Sequence, residues 1–478
     1  MKTKLNGLAF IVATGLLMAF TSCRTLQTNN VQENKYLPES FNVPADSINS
    51  GLMSWRQFFK DTCLLALIDT ALKKNQELKI FQQELQIAKN EVLVRKAAYL
   101  PFANVGATIG ADKFSRYTTA GSFDAINDII PGKKAPEPMP NFTGIMTASW
   151  EIDVWKKLRN ARSSAAQRFY ASMEGRNFLV TNLVTEIAES YYDLLALDNQ
   201  LTILKSTIDL YNSSLEIVRL EKLSARVTEL AVRRFEAEVY KNQSKVYYLN
   251  QQIVETQNKL NYLIGHYPQA ISRISNSFLS FKPDSLHSGV PTQLLGNRPD
   301  VRMAENELAA AKLDVKVARA QFYPGLVLTA AGGLSSFNAA YLLKTPQALL
   351  LNMAGAVFAP IINRKMLKAN LFTADAKKQQ AITVYERTLL NAYTEIVTQI
   401  ANIQNLQKSF DLKNKQVNTL KASIDISSNL FTSARADYME VLLTQRDALD
   451  SKFELVETKK QQINAMINLY RALGGGWH

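Results

Sequence analysis

The side chains that could carry covalent or metal chemistry are few in this chain of 478 residues. The histidines are His266, His287 and His478, and only two cysteines are present. A zinc or iron–sulfur site needs several soft ligands at close spacing, and a nucleophilic cysteine or serine needs a histidine base. No glycine-rich phosphate loop follows a strand and opens a helix. We therefore expect no enzyme, no catalytic residue, no metal and no bound cofactor, and we place Cys63, within an apolar run, in the core.

The other cysteine stands where lipid chemistry is expected. Lys2 and Lys4 precede an apolar run from Leu8 to Phe20, and two small residues separate this run from Cys23. The run is too short to span a membrane comfortably and is typical of a signal peptide. We interpret residues 1–22 as a lipoprotein signal, with diacylglycerol and an N-acyl chain added at Cys23. An ordinary secretory signal followed by an incidental cysteine is the alternative.

Composition and charge narrow the class of protein further. The chain is 47% apolar and 20% charged, with a formal net charge of +13, so it can bury a core. Its basic residues are scattered along the chain and the signal directs export, so no nucleic-acid partner is expected. Beyond the signal no run approaches 18 continuous apolar residues. A membrane crossing would therefore require a β-barrel.

Glycine and proline are concentrated in residues 101–144, 265–299 and 324–360, and the long stretches between them carry heptads of apolar residues. Such stretches predict coiled-coil helices, the longest about 100 Å in length. Matching segments recur 209 residues apart, as in Ser224-Ala225-Arg226 and Ser433-Ala434-Arg435, which indicates an internal duplication. Each half is expected to contain a helix, a strand hairpin and a long helical hairpin.

The strand-like segments of each half follow a proline, Pro101 or Pro324, and have the length of a tilted membrane strand. Their apolar–polar alternation is only partial. Four strands cannot close a membrane barrel, because the smallest barrels have about eight, so three copies with twelve strands are expected.

The predicted boundaries are 1–22 signal, 23–54 acylated tail, 55–101 first helix of repeat 1, 102–155 strand hairpin 1, 156–265 helical hairpin 1, 266–297 equatorial connection, 298–324 first helix of repeat 2, 325–361 strand hairpin 2, 362–473 helical hairpin 2 and 474–478 tail.

Four strings of residues are informative when taken together: Trp55-Arg56-Gln57-Phe58-Phe59-Lys60-Asp61, Trp150-Glu151-Ile152-Asp153-Val154-Trp155, Asn297-Arg298-Pro299-Asp300-Val301-Arg302-Met303-Ala304-Glu305 and Leu469-Tyr470-Arg471-Ala472-Leu473-Gly474-Gly475-Gly476-Trp477. They resemble the motifs of the outer-membrane factor family, the TolC-like and OprM-like exit ducts of tripartite efflux pumps, and specifically its lipoprotein branch. The match extends over nearly everything from Cys23 to Trp477. We interpret the third string as a helix start, with Pro299 in its first turn.

The resemblance implies a mainly α fold with a membrane β-barrel portion: a TolC-like homotrimer whose 12-stranded barrel continues into a periplasmic helical barrel. It also implies a lipid-anchored duct in the Gram-negative outer membrane, docked to a periplasmic adaptor and an RND-type inner-membrane transporter. Such a duct conducts small molecules passively. The alternatives are a channel for type I protein secretion, a metal-ion efflux channel and, from another class, a structural coiled-coil lipoprotein.

The resemblance also implies a gate at the hairpin tips, near residues 222–228 and 431–438. In the resembled family, acidic residues on the helix after the second tip face the trimer axis. Glu440 takes one of these positions here, while Leu443 stands at the next. We predict a ring of Glu440 beside a collar of Met439 and Leu443.

Three more residues of the second tip have open roles. Asp437-x-x-Glu440 has the spacing of a capping box, so a helix cap is the alternative to the acidic ring. Arg435 is a gate-bonding partner or a solvated turn charge. Phe431 completes the heptad seam or plugs the gate.

Overall fold

The computed structural model describes residues 32–41, 49–134, 136–274, 278–280, 288–360, 362 and 364–477. Single helical turns at Trp55–Phe58 and Leu294–Asn297 precede α1 and α6. In chain order the elements are α1 (Thr62–Lys74), α2 (Gln76–Ala97), β1 (Phe102–Asp112), α3 (Thr119–Ile126), β2 (Asp128–Ile130), β3 (Lys133–Lys134), β4 (Met139–Ile152), α4 (Lys157–Leu223), α5 (Glu229–Leu263), α6 (Pro299–Ala320), β5 (Gly325–Ser336), β6 (Leu349–Phe358), α7 (Arg364–Thr432) and α8 (Tyr438–Ala472).

These elements fall into two units. The described residues within 32–33, 99–161 and 311–382 form the first unit, and those within 34–98, 162–310 and 383–477 form the second. The four long strands belong to the first unit, and most of the helical residues belong to the second. The fold class expected from the sequence, mainly helical with four antiparallel strands per chain, is confirmed.

The first unit is built on a four-stranded antiparallel sheet in the order β1-β4-β5-β6. Val105 lies opposite Met146, Met146 opposite Gly332 and Gly332 opposite Leu351, so one row of side chains crosses all four strands. The shorter strands β2 and β3, with α3, occupy the connection between β1 and β4. In the four-stranded sheet the end strands are β1 and β6, which have 11 and 10 residues.

The register sorts the strand residues onto two chemically different faces, because directly opposed residues share a face. We call the first the apolar face. Its members are Ala103, Val105, Ala107, Ile109 and Ala111 on β1, Pro140, Phe142, Gly144, Met146, Ala148, Trp150 and Ile152 on β4, Leu326, Leu328, Ala330, Gly332, Leu334 and Ser336 on β5, and Leu349, Leu351, Met353, Gly355 and Val357 on β6.

The opposite face, which we call the polar face, carries hydroxyl, amide and small side chains over most of its length. One of its rows joins Asn104, Thr147, Ala331 and Asn352. In another row the Thr143 and Ser335 hydroxyl oxygens lie 2.9 Å apart, within hydrogen-bonding distance. On the apolar face, by contrast, large side chains are exposed, among them Val105 at 79% and Met353 at 77%. A sheet with one apolar and one polar face is typical of strands between lipid and an aqueous interior.

The helical hairpins show the duplication predicted from the sequence. α5 and α8 each have 35 residues, and their limits differ by the same 209 residues as the sequence repeat. Both helices are followed by a glycine with positive φ, Gly265 at 71° and Gly474 at 91°. A Cβ at Gly474 would lie 2.6 Å from the Asn297 carbonyl oxygen, so this position requires glycine for conformation and for space.

The core of the second unit lies where α1 and the middle of α4 meet the ends of α5 and α8. Ile68, Ile187, Leu260 and Ile463 are among its buried side chains. Cys63 is half-buried and packs against this cluster, in agreement with the core position expected for it. Within the described residues, no helix is long and apolar enough to cross a membrane.

Candidate functional site

The two hairpin tips have the same backbone geometry. Ala225 and Ala434 adopt positive φ, 56° and 59°, at equivalent positions of the repeat. After α7 the Arg435 N–H donates to the Leu430 carbonyl at 2.8 Å, and the Ala434 N–H donates to the Phe431 carbonyl at 3.0 Å. The first tip has the equivalent pair of bonds. This is the Schellman arrangement, in which one left-handed residue ends a helix and reverses the chain.

Valine at position 434 should weaken this turn, because a β-branched side chain fits the left-handed region poorly. We expect Ala434→Val to reduce the local opening free energy beyond the cost that alanine already bears in this conformation. Hydrogen exchange of the Arg435 amide measures this directly. The matched control is Ala422→Val, the same change on the exposed surface of α7, which should leave that amide protected. Equal exchange in both variants would contradict a strained turn.

The structure places the charged gate candidates on the exposed surface of the second tip. Asp437 is the N-cap residue of α8, and Glu440 lies in the first turn of that helix. Among the described residues, the Asp437 side chain makes no capping hydrogen bond; the Glu440 N–H donates to the Asp437 backbone carbonyl at 3.1 Å. The capping box considered as an alternative role does not form. Arg435, Asp437 and Glu440 are all exposed.

The apolar gate candidates divide between packing and exposure. Phe431 and Met439 are half-buried against a cluster that joins the two tips through Phe235, Val441 and other residues of α4, α5 and α8. Met439 also accepts a hydrogen bond at Sδ from Arg234 on α5, at 3.4 Å. Phe431 therefore packs as the heptad seam predicts. Leu443 remains 39% exposed.

At the first tip, unlike the second, the charged side chains of α4 and α5 form ion pairs with one another. Arg219 contacts Glu236 at 2.9 Å, Arg233 contacts Glu229 at 2.8 Å, and Lys222 also pairs with Glu229. The hydrogen bond from Lys222 lowers the pKa of Glu229, and the bond from Arg219 lowers the pKa of Glu236. Of the described ion pairs, none involves Arg435, Asp437 or Glu440.

Arg298 holds a further charged network that sequence reasoning did not identify. α6 begins at Pro299, as predicted, and the preceding Arg298 side chain is only 8% exposed. Its guanidinium contacts Asp300 at 2.8 Å, Glu395 on α7 at 3.0 Å and the Ala472 carbonyl at 2.8 Å, and Arg471 contacts Glu395 at 2.6 Å. Burial alone would lower the pKa of Arg298, but the two carboxylates outweigh it and raise the pKa. The network joins the start of α6 to α7 and the end of α8.

The remaining predicted positions either lie outside the described residues or make surface contacts. Cys23, the signal peptide and His287 lie outside the described residues. The His266 ring contacts Lys74 Nζ at 3.0 Å and Gln269 at 2.8 Å, which is a surface polar contact. In the part of the chain that the structure describes, no three histidine, cysteine or acidic residues are grouped as metal ligands would be.

Comparison with known proteins shows to which family the chain belongs. The model of the outer membrane efflux protein family matches residues 67–266 and 290–475. The chain belongs to the outer membrane efflux protein family. It is therefore an outer-membrane channel of Gram-negative efflux systems, with a helical extension in the periplasm, and a transport protein rather than an enzyme.

Two relatives and one solved structure indicate how far the similarity extends. The pyoverdine export outer membrane protein OpmQ of Pseudomonas aeruginosa is 28% identical over 430 residues, covering 90% of this chain and 88% of OpmQ. The cation efflux system protein CusC of Escherichia coli O6:H1 is 27% identical, covering 96% and 97%. The open state of the Neisseria gonorrhoeae MtrE outer membrane channel superposes with a TM-score of 0.81 at 22% identity, covering 95% and 98%. This last likeness supports the fold alone.

Proposed function

We propose that three copies of this chain form the passive exit duct of a tripartite, RND-type efflux pump. The observation that carries the proposal is the sheet of the first unit, which has an exposed apolar face and a polar face. Lipid on one side and a water-filled passage on the other would satisfy both faces. The end strands β1 and β6 are long, and pairing them with those of neighbouring copies would satisfy their edges.

The gate of this duct is proposed to lie at the second tip. The charges of the first tip are bonded among themselves, whereas Arg435, Asp437 and Glu440 are exposed and take part in no described ion pair. Around a threefold axis, three copies of Glu440 would face one another and repel, and a cation would be attracted to them. Met439 and Leu443 would form the apolar collar beside this ring. Binding of an adaptor to the tips would shift their helices from a closed to an open packing.

Single-channel conductance of the full trimer in planar bilayers tests the duct and the gate together. We expect small, cation-preferring wild-type currents, with larger and less selective currents for Glu440→Ala. The matched control is Glu229→Ala, which removes a carboxylate from the first turn of α5 and should leave selectivity unchanged. An unchanged Glu440→Ala channel would keep the duct and exclude the acidic ring. No current from a folded trimer would exclude the duct.

Three further parts of the proposal concern anchoring, partners and cargo. Cys23 would carry diacylglycerol and an N-acyl chain; a relative from Salmonella typhimurium, 24% identical, is named a probable outer membrane lipoprotein. The partners would be a periplasmic adaptor and an inner-membrane RND-type transporter. Relatives of similar identity are named for pyoverdine export, toluene efflux and cation efflux, so their names favour no one substrate class.

A further inference from the structure

A cavity of about 460 Å³ opens beside the Arg298 network in the second unit. This volume falls within the range of small-molecule sites, about 300–1,000 Å³. α4 forms one wall and α7 the other. The charged floor consists of the start of α6, the end of α8 and Glu395 of α7. The residues that a ligand would meet on the walls and rim are Phe178, Asn182, Asn391, Thr394, Thr398 and Arg471.

The floor of the cavity has no surplus charge. Two guanidinium groups, Arg298 and Arg471, are matched there by two carboxylates, Asp300 and Glu395. The positive end of the α6 dipole is already met by Asp300 in the first turn of that helix. An anion or a cation would have to compete with these internal pairs, so a neutral ligand is favoured electrostatically.

The walls carry hydrogen-bonding groups of both kinds and one aromatic ring. The side chains of Asn182 and Asn391 each offer donors and an acceptor, and Arg471 contacts Glu395 through only one of its nitrogen atoms. Two more lining residues, Thr181 and Gln399, hold buried side-chain oxygen atoms without a hydrogen-bond partner. Thr181 is only 2% exposed. Both oxygen atoms are closed off from solvent, so recognition of a ligand falls to the accessible amide and guanidinium groups of the walls.

We propose that this cavity binds a neutral, polyhydroxylated ligand, which is the chemistry of a saccharide. Hydroxyl groups can donate to the amide and threonine oxygens and accept from Asn182, Asn391 and Arg471, while the half-buried ring of Phe178 offers a face to the C–H surface of a sugar. Two sources share this chemistry, a free sugar in the periplasm and an N-acetylated glycan chain of the cell wall. The proposal does not depend on conduction or on the gate.

Isothermal titration calorimetry of the full-length trimer with maltotetraose and with chitotetraose tests the proposal. We expect saturable binding that Phe178→Ala and Asn182→Ala each weaken at least tenfold. Thr398→Val removes a lining hydroxyl with little change of shape, so it tests the site even where the other variants fold poorly; threefold or greater weakening is expected. The matched control, Thr419→Val on an exposed part of α7 away from the cavity, should bind as the wild type does.

The two probes separate the two sources. Binding of chitotetraose alone would identify an N-acetylated glycan, and binding of maltotetraose alone or of both would identify hydroxyl recognition without need of the acetamido group. Each of these outcomes supports the saccharide site if the lining variants weaken it. Failure of both probes to bind the folded wild-type trimer, or binding that all three lining variants leave intact, would overturn the proposal.

Discussion

Arg298→Met should lower the free energy of unfolding of the second unit by about 3–5 kcal/mol, the usual cost of removing one partner of a buried ion pair. Methionine replaces the apolar stem of arginine as far as Nε, but it supplies neither the charge nor the hydrogen bonds of the guanidinium group. Asp300 and Glu395 would lose the guanidinium that joins them, and the Ala472 carbonyl would lose a donor. Chemical denaturation of the detergent-solubilised trimer, followed by circular dichroism at the helical signal, measures the change.

The matched control for this variant is Arg95→Met on α2. Arg95 contacts Glu91 at 2.7 Å one turn away, but both side chains are about half exposed. Exposed pairs of this kind contribute about 0.3–0.5 kcal/mol, so the control should be nearly neutral. Arg298→Lys keeps the charge but not the fork-shaped contact with Asp300, and an intermediate loss is expected. A loss for Arg298→Met no larger than that for Arg95→Met would show that the network does not hold these helices together.

The helical hairpins could be predicted from the sequence because their signals are local. Heptads, the scarcity of glycine and proline, and the 209-residue repeat located α5 and α8, and the structure gives both helices 35 residues at that offset. The turn was also partly predictable, since Ser-Ala-Arg recurs at both tips. Its left-handed alanines were not, because glycine is the usual residue there.

The faces of the sheet could not be assigned from the sequence. Alternation within each strand is partial, and alanine and glycine occur on both faces. Ala103 and Ala331 are chemically identical, yet the register puts Ala103 on the apolar face and Ala331 in the polar row with Asn104. Only the pairing of four strands, which come from distant parts of the chain, separates the two faces.

The contacts of the candidate gate and of Arg298 could not be predicted from the sequence either. Asp437-x-x-Glu440 met the spacing of a capping box, but at this helix start the Asp437 side chain makes no capping bond in the structure. Arg298 was assigned only to a helix start, because its partner Glu395 lies 97 residues away and its bond to Ala472 spans 174 residues. Contacts at such separations leave no pattern in a single sequence. The gate role of Glu440 therefore stays a prediction.

Met146→Arg should disrupt insertion into the outer membrane far more than Thr147→Arg, although the two positions are adjacent on β4. Met146 is 56% exposed on the apolar face, near the middle of an inner strand, whereas Thr147 lies in the polar row. An arginine facing lipid near the bilayer midplane costs about 2–4 kcal/mol, and one facing an aqueous passage costs little. Urea titration of folding into dilauroylphosphatidylcholine vesicles measures this difference for wild type and both variants.

The adjacent pair is a strict comparison because strand, depth and introduced residue are the same, and only the face differs. Neither position lies on β1 or β6, the end strands of the sheet, so neither variant changes a strand that would pair with a neighbouring copy. If Thr147→Arg were the more damaging change, the polar face would be the one in contact with lipid, and the passage proposed on that side would have to be abandoned. Equal damage would mean that both faces are packed against protein. Only the predicted order places lipid and passage on opposite sides of the sheet, which is the arrangement that a duct requires.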